Sequence, residues 1–208
     1  LLSYAGFFDK SSQRCGKYPQ IQSFAKKLAA TKPKASPRKN QSERTVTQAV
    51  QPLLEFHGSS RVYAVKRELG KGAFAPVYLV DSQDRNDARE EAGIPPTHSG
   101  GRNNKRSCLE AIKTEDPPSA WEFHILRLLR HRLGPMSRTM QSIILAHECH
   151  IFADECYLVL EYRNQGTLLD LVNAVREENR KAGKADVGLD EILAMFLSVE
   201  LLRTVEEC

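Results

Sequence analysis

Gly70-Lys71-Gly72-Ala73-Phe74-Ala75-Pro76-Val77-Tyr78 is the most distinctive segment of the chain. It fits the pattern G-x-G-x-x-G-x-V, with Ala75 at the third glycine position. Gly70 and Gly72 lack a Cβ, so backbone N–H groups there can approach phosphate oxygens closely. Ala75 stands where that constraint is mildest. A G-x-G-x-x-G that leads from a strand into a helix serves dinucleotides. Here Val62–Leu69 alternates apolar and polar residues before the glycines, and Ala75–Val80 is strand-like after them. Strand on both sides predicts a β-hairpin with a glycine-rich tip, suited to cover phosphates. The plain alternative is a glycine turn that meets no ligand.

Working outward, Cys108–Lys113 reads as a third strand and Ser119–Leu133 as an amphipathic helix with Trp121, Ile125, Leu128 and Leu129 on one face. Ile143–Phe152 and Cys156–Tyr162 read as strands four and five. Thr167–Arg180 and the strongly apolar Leu189–Val205 read as helices. Residues 82–107 hold almost nothing that builds a core and are expected to be a disordered, solvated insertion between strands two and three. Residues 1–30 form an N-terminal extension, in which Phe7-Phe8 and Ile21–Ala30 can make short elements that dock elsewhere. Residues 31–55 are expected to be a basic disordered linker. That leaves 56–163 as one domain and 164–208 as the start of a helical second lobe.

The chain has 208 residues, a hydrophobic share of 41%, a charged share of 27% and a formal net charge of +4. These values suit a globular core with solvated stretches. The excess charge is uneven: between Lys10 and Val50 ten residues are Lys or Arg and only Glu43 is acidic. A solvated tail is preferred over a nucleic-acid contact. Five cysteines without a C-x-x-C read as reduced thiols of a cytosolic or nuclear protein. No apolar run is long enough to span a membrane, and no signal peptide is evident. The chain begins without Met and stops inside a helical pattern, so both ends read as cuts. Ser36-Pro37-Arg38-Lys39 has the form of a proline-directed phosphorylation site, a short match that arises readily by chance.

The chemistry falls on three segments. Ala111-Ile112-Lys113 ends a strand with a cation, the group that α- and β-phosphates need. Glu122, on the following helix, is the acid that would orient it. Sheltered unit charges about 4 Å apart attract by roughly 4 kcal/mol, against ~0.2–1 kcal/mol for an exposed pair, so this role needs a shielded site. The rival for Glu122 is local: Ser119-x-x-Glu122 is a capping box. Lys66 lies before the glycines and is a decoy. Leu158-Val159-Leu160-Glu161-Tyr162-Arg163-Asn164-Gln165-Gly166-Thr167-Leu168 reads as a buried strand ending in a glycine turn. His147, Cys149, His150 and Cys156 match no common zinc spacing, and no metal site is expected.

In this order the motifs resemble a protein kinase. On that pattern Leu160 is the gatekeeper, the Glu161 carbonyl and the Arg163 amide face the adenine, and Val77 and Ala111 cover the ring. Gly70 to Ala75 and Lys113 would hold the phosphates of ATP, with Lys71, Ala73 and Phe74 inside that loop. Trp121-Glu122-Phe123 and Gly166-Thr167-Leu168-Leu169 are similar to the budding-uninhibited-by-benzimidazole checkpoint kinases. So are the glycine hairpin and, for fungal members, Leu2-Ser3-Tyr4-Ala5-Gly6-Phe7-Phe8. The resemblance implies an α+β fold: a five-stranded antiparallel sheet with one helix, then the first helices of a C-lobe. It implies a serine/threonine kinase of the spindle checkpoint, in the nucleus at kinetochores and also in the cytoplasm. The expected partners are kinetochore and checkpoint proteins, with a histone tail as substrate of the full kinase and no direct nucleic-acid binding. The 208 residues stop before any H-R-D or H-G-D, D-F-G or A-P-E segment, where the catalytic Asp and the Mg²⁺ ligands are expected. These residues alone are therefore expected to bind nucleotide weakly and to transfer no phosphoryl group. The alternative is a pseudokinase-like interaction module whose basic extension binds a partner.

Overall fold

A computed structural model of the chain describes residues 4–31, 51–72, 75–85, 106–183 and 188–208. It divides into two compact units, Leu1–His124 with Leu145–Tyr162, and Ile125–Ile144 with Arg163–Cys208.

The first unit is built on one sheet. Its strands are β1 (Phe7–Lys10), β2 (Leu53–Glu55), β3 (Arg61–Lys71), β4 (Pro76–Asp84), β5 (Leu109–Glu115), β6 (Ala146–Phe152) and β7 (Cys156–Glu161). They lie in the order β1-β6-β7-β5-β4-β3-β2. The five expected antiparallel strands are β3 to β7. Two more extend the sheet to seven among the described residues: β1 runs parallel to β6 at one edge, and β2 antiparallel to β3 at the other. The expected linker 31–55 therefore ends in a strand. Leu54 and the following Phe56 are buried in the core, which is the reason the chain stops being a linker there. The expected insertion 82–107 also loses both its ends. β4 continues through Ser82, Gln83 and Asp84, paired with β3, and Arg106 bonds to Glu110 and Glu148. Residues 86–105 of that segment lie outside the described residues, as does 32–50, which carries the Ser36-Pro37 motif.

Side chains alternate across each strand, so the sheet has two faces. One face carries Tyr63, Val65, Tyr78, Val80, Ile112, Tyr157 and Val159, and is covered by α1 (Tyr18–Thr31) through Ile21, Phe24 and Ala25. Burying such a side chain contributes roughly 1.5–3 kcal/mol. The start of α1 is fixed by Glu155, whose carboxylate accepts from the amides of Lys17 (2.8 Å) and Tyr18 (3.1 Å) and from the Tyr157 hydroxyl (2.8 Å). Early helix amides have no partner within the helix, and an anion there also suits the helix dipole. The extension thus docks on the chain's own sheet. Its charge does not stop it: Ile21, Phe24 and Ala25 share one buried stripe, Lys26 and Lys27 are exposed, and Lys17 donates to the Glu55 carbonyl with its ammonium over the Phe56 ring.

Farther along this face a polar cluster replaces apolar packing. Glu148 accepts from Tyr63 (2.9 Å), Arg106 (2.8 Å) and His150 (3.0 Å). Burial would raise its pKa, but the bonds from His150 and Arg106 outweigh that and hold it down at about 2. The His150 ring is stacked between Phe8 and Phe56, with centroids 4.6 and 4.3 Å away.

The second unit holds most of α2 (Trp121–Leu133), a 3₁₀ turn (Thr139–Gln141), α3 (Leu168–Lys181) and α4 (Glu191–Glu207). Thr167 and Asp170 form a reciprocal capping box at the start of α3, and Asp190 caps α4. Arg130 donates to the carbonyls of Met140 and Ile143, tying α2 to the turn. No helix among the described residues is long and apolar enough to cross a membrane.

Candidate nucleotide-binding site

β3 and β4 pair as the two strands of the expected hairpin, but β3 runs through Gly70, opposite Val77, and Lys71, opposite Pro76, rather than breaking after Leu69. The Gly72 amide donates to the Ala75 carbonyl (3.1 Å) and closes the turn. Ala73 and Phe74 lie outside the described residues. A Cβ built on Gly70 would meet nothing within 4 Å, and one on Gly72 would meet only Ala75 O at an ordinary 3.5 Å. Neither glycine has a positive φ. The hairpin's own packing therefore does not require them, unlike Gly6 and Gly58, whose Cβ positions are blocked. Lys71 lines a small hollow of about 60 Å³ with Tyr18, Gln22, Lys26 and Glu68, on the α1 side of the hairpin.

Register sets the rest. Val77 pairs with Lys113, Leu79 with Ala111, and Ala111 with Leu160. Alternation therefore puts Val77, Ala111, Lys113 and Leu160 together on the face away from α1. Ala111 and Leu160 are buried, an apolar lining beside the lysine. Glu161 ends β7, where its amide donates to the Leu145 carbonyl and its carboxylate accepts from the Leu145 amide. Arg163 follows two residues later and belongs to the second unit. Lys66 makes a surface pair with Asp81 (2.8 Å), as suits a decoy.

The Lys113 ammonium meets the Glu122 carboxylate directly. Glu122 lies in the first turn of α2, while Ser119 Oγ accepts from the Trp121 amide (3.3 Å). The lysine side chain is 23% exposed and that of Glu122 40%, so the pair is only partly sheltered. The apolar face expected on α2 is corrected here. Trp121 is 73% exposed, and Phe123 is the buried residue at 1%. Phe123 is taken up by the extension, stacking on Phe7 at 5.9 Å, while His124 meets Tyr4 and Phe7. A helical wheel misses this because the partner is a strand more than a hundred residues earlier.

One contact was not read from the sequence. Glu115 Oε1 lies 2.9 Å from Lys113 Nζ, and its side chain is 16% exposed. The signal was present in the strand period, which puts residues 113 and 115 on one face of β5. Burial works to lower the Lys113 pKa, but the hydrogen bonds to Glu122 and Glu115 overcome it and raise it overall. The four candidate metal ligands do not converge. His150 faces the α1 side, whereas the Cys149 and Cys156 sulfurs meet each other at 3.6 Å.

The chain is 36% identical over 187 residues to the spindle assembly checkpoint serine/threonine-protein kinase bub1 of Schizosaccharomyces pombe, covering 89% of this chain and 17% of that protein. It is 36% identical over 156 residues to BUB1 of Saccharomyces cerevisiae, covering 75% of this chain and 13% of that protein. The chain thus spans about one-sixth or less of the length of these relatives. Among solved structures the BubR1 kinase domain matches with a TM-score of 0.53 at 20% identity, over 90% of this chain and 48% of that one, a likeness of fold. No family model matches the chain.

Proposed function

From its place among the Bub1 spindle-checkpoint kinases, to which this chain is homologous over most of its length, we propose that it is the ATP-binding portion of a protein serine/threonine kinase. The observation that carries this reading is the Lys113–Glu122 pair, set beside Val77 of the glycine hairpin and the buried Ala111 and Leu160. Gly70, Gly72 and Ala75 would let the hairpin backbone close over the polyphosphate, since open space lies where a Cβ on Gly70 would stand. Lys113 would hold the α- and β-phosphates, with Glu122 aiming it. Val77 and Ala111 would pack on the adenine beside Leu160, and the Glu161 carbonyl would read its edge. The lysine fits this role chemically: it is partly sheltered, charged, and has N–H donors to direct at an oxyanion.

The 208 residues contain no H-R-D, H-G-D or D-F-G sequence. We assign Mg²⁺ binding and the catalytic base to such segments elsewhere in the whole kinase. The whole kinase would act at kinetochores, phosphorylate a histone tail and work with other checkpoint proteins. The rival reading is an interaction module using the basic extension; the apolar residues of β1 and α1 are already taken up by the chain's own sheet, while the basic run within 32–50 lies outside the described residues.

The test is nucleotide binding by the 208-residue chain, titrated with a fluorescent ATP analogue and competed with Mg-ATP. Weak saturable binding is expected, lost on Lys113→Met and weakened about tenfold by Glu122→Gln. Absence of binding at millimolar nucleotide would sink the reading. Transfer of labelled phosphate to histone by the pure chain is expected to be undetectable; measurable transfer would refute the assignment of the catalytic base to other segments.

A further inference from the structure

Lys113 is held by two carboxylates. Glu122 reaches it from α2, while Glu115 reaches it from two residues along the same strand. Glu115 is the more sheltered of the two, 16% exposed against 40%, so its share of the attraction is the less screened by solvent. Its place is fixed by the sheet. β5 is paired on both sides, and Glu115 itself is in register with Cys156 of β7. An ammonium has three N–H donors. Two are committed here to carboxylates, which leaves one for a phosphate oxygen. As ionised groups the trio carries a net charge of minus one, which repels a polyphosphate. The Cys149 thiol on β6, which feels the Glu115 charge, stays neutral because its bond to Cys156 and its burial push it well above the usual thiol range.

We propose that Glu115 is a positioning residue of the phosphate site: with Glu122 it clamps the Lys113 ammonium from two sides, and an incoming nucleotide must displace the Glu115 carboxylate to take a full grip on the lysine. This rests on the nucleotide reading for its ligand but not for the clamp itself. Glu122 sits on a separate helix and ties that helix to the sheet, whereas Glu115 is on the lysine's own strand and ties nothing to anything else. Its effect is therefore on the charge and aim of Lys113. It lowers the affinity for polyphosphate and keeps the lysine from wandering when the site is empty.

The experiment compares Glu115→Gln with the unaltered 208-residue chain by two readouts. The first is the pH profile of Lys113 acylation by an amine-reactive probe, followed by peptide mass spectrometry. Removing a counter-charge favours the neutral amine, so the midpoint should fall by about one pH unit. Glu115→Asp keeps the charge with a shorter reach and should fall in between, which a merely steric role would not produce. The second readout is affinity for Mg-ATP, expected to be about five- to tenfold tighter in Glu115→Gln. An unchanged Lys113 profile overturns the proposal, as does equal nucleotide affinity in the two chains. A lowered midpoint with no nucleotide binding by either chain upholds the clamp and instead sinks the nucleotide reading.

Discussion

At the scale of single residues, the sharpest consequences come from groups the fold keeps out of water. His147 is driven down to a pKa of about 4, first by burial and then by the nearby charge of Arg106. His150 is lowered too, by burial between two phenyl rings, although its bond to Glu148 pulls the other way. A histidine kept neutral by the fold is protonated more readily in the unfolded chain. Its contribution is intact above pH 6.5 and drains as pH falls from about 6.5 toward about 4. Glu148, held at about 2, adds a second loss that starts near 4.5 and runs down toward 2. The thermal midpoint should therefore drop steadily from pH 7 to pH 4.5, with a loss on the order of 2 kcal/mol. His147→Gln should flatten that slope in differential scanning fluorimetry; an identical slope would show that the imidazole is not buried neutral. Lys113 and Glu122 were legible as a pair from motif order. Glu115 was not, because a motif names residues one at a time and the strand period had to be applied to the lysine itself.

At the scale of elements, the extension is part of the sheet. β1 depends on Gly6, which has φ +89 and leaves no room for a Cβ against the His147 carbonyl oxygen. Gly6→Ala should cost about 2–4 kcal/mol in urea denaturation, combining left-handed strain with a displaced β6 neighbour. Gly16→Ala is the control. It shares a left-handed φ of +64, but its Cβ would meet nothing within 4 Å, so about 1 kcal/mol of strain alone is expected. Equal losses at the two positions would argue that β1 is not paired to β6. Loss of β1 also frees Phe7 from Phe123, so Gly6→Ala should weaken nucleotide binding through the first turn of α2. The helices α2 to α4 and five strands were readable because each carries its own period, whereas α1 was read only as a short docking element within 21–30. β1 and β2 were not, because strands of four and three residues are too short to show one, and their pairing partners are remote in sequence.

At the scale of the whole molecule, the two units differ in how much they bury. The sheet unit holds the apolar core, whereas α3 and α4 have no buried residue and expose Ile192, Met195, Phe196, Leu202 and Val205. Helices this short are marginal without packing. Hydrogen exchange should therefore be orders of magnitude faster in residues 168–181 and 191–207 than in β4, β5 and β7. Uniform protection across both units would contradict that. The alternation around the glycines, a cation late in one strand and the acid opening the next helix were determined by the sequence alone, because local periods and motif spacing are properties of contiguous chain; that β5 runs on past Lys113 to Glu115 was not. Tertiary structure alone decided that a basic extension docks on the sheet, that Phe123 rather than Trp121 is buried, and that a second carboxylate grips Lys113. Each of those depends on which remote strand or side chain arrives to exclude water, and no local pattern encodes that arrival.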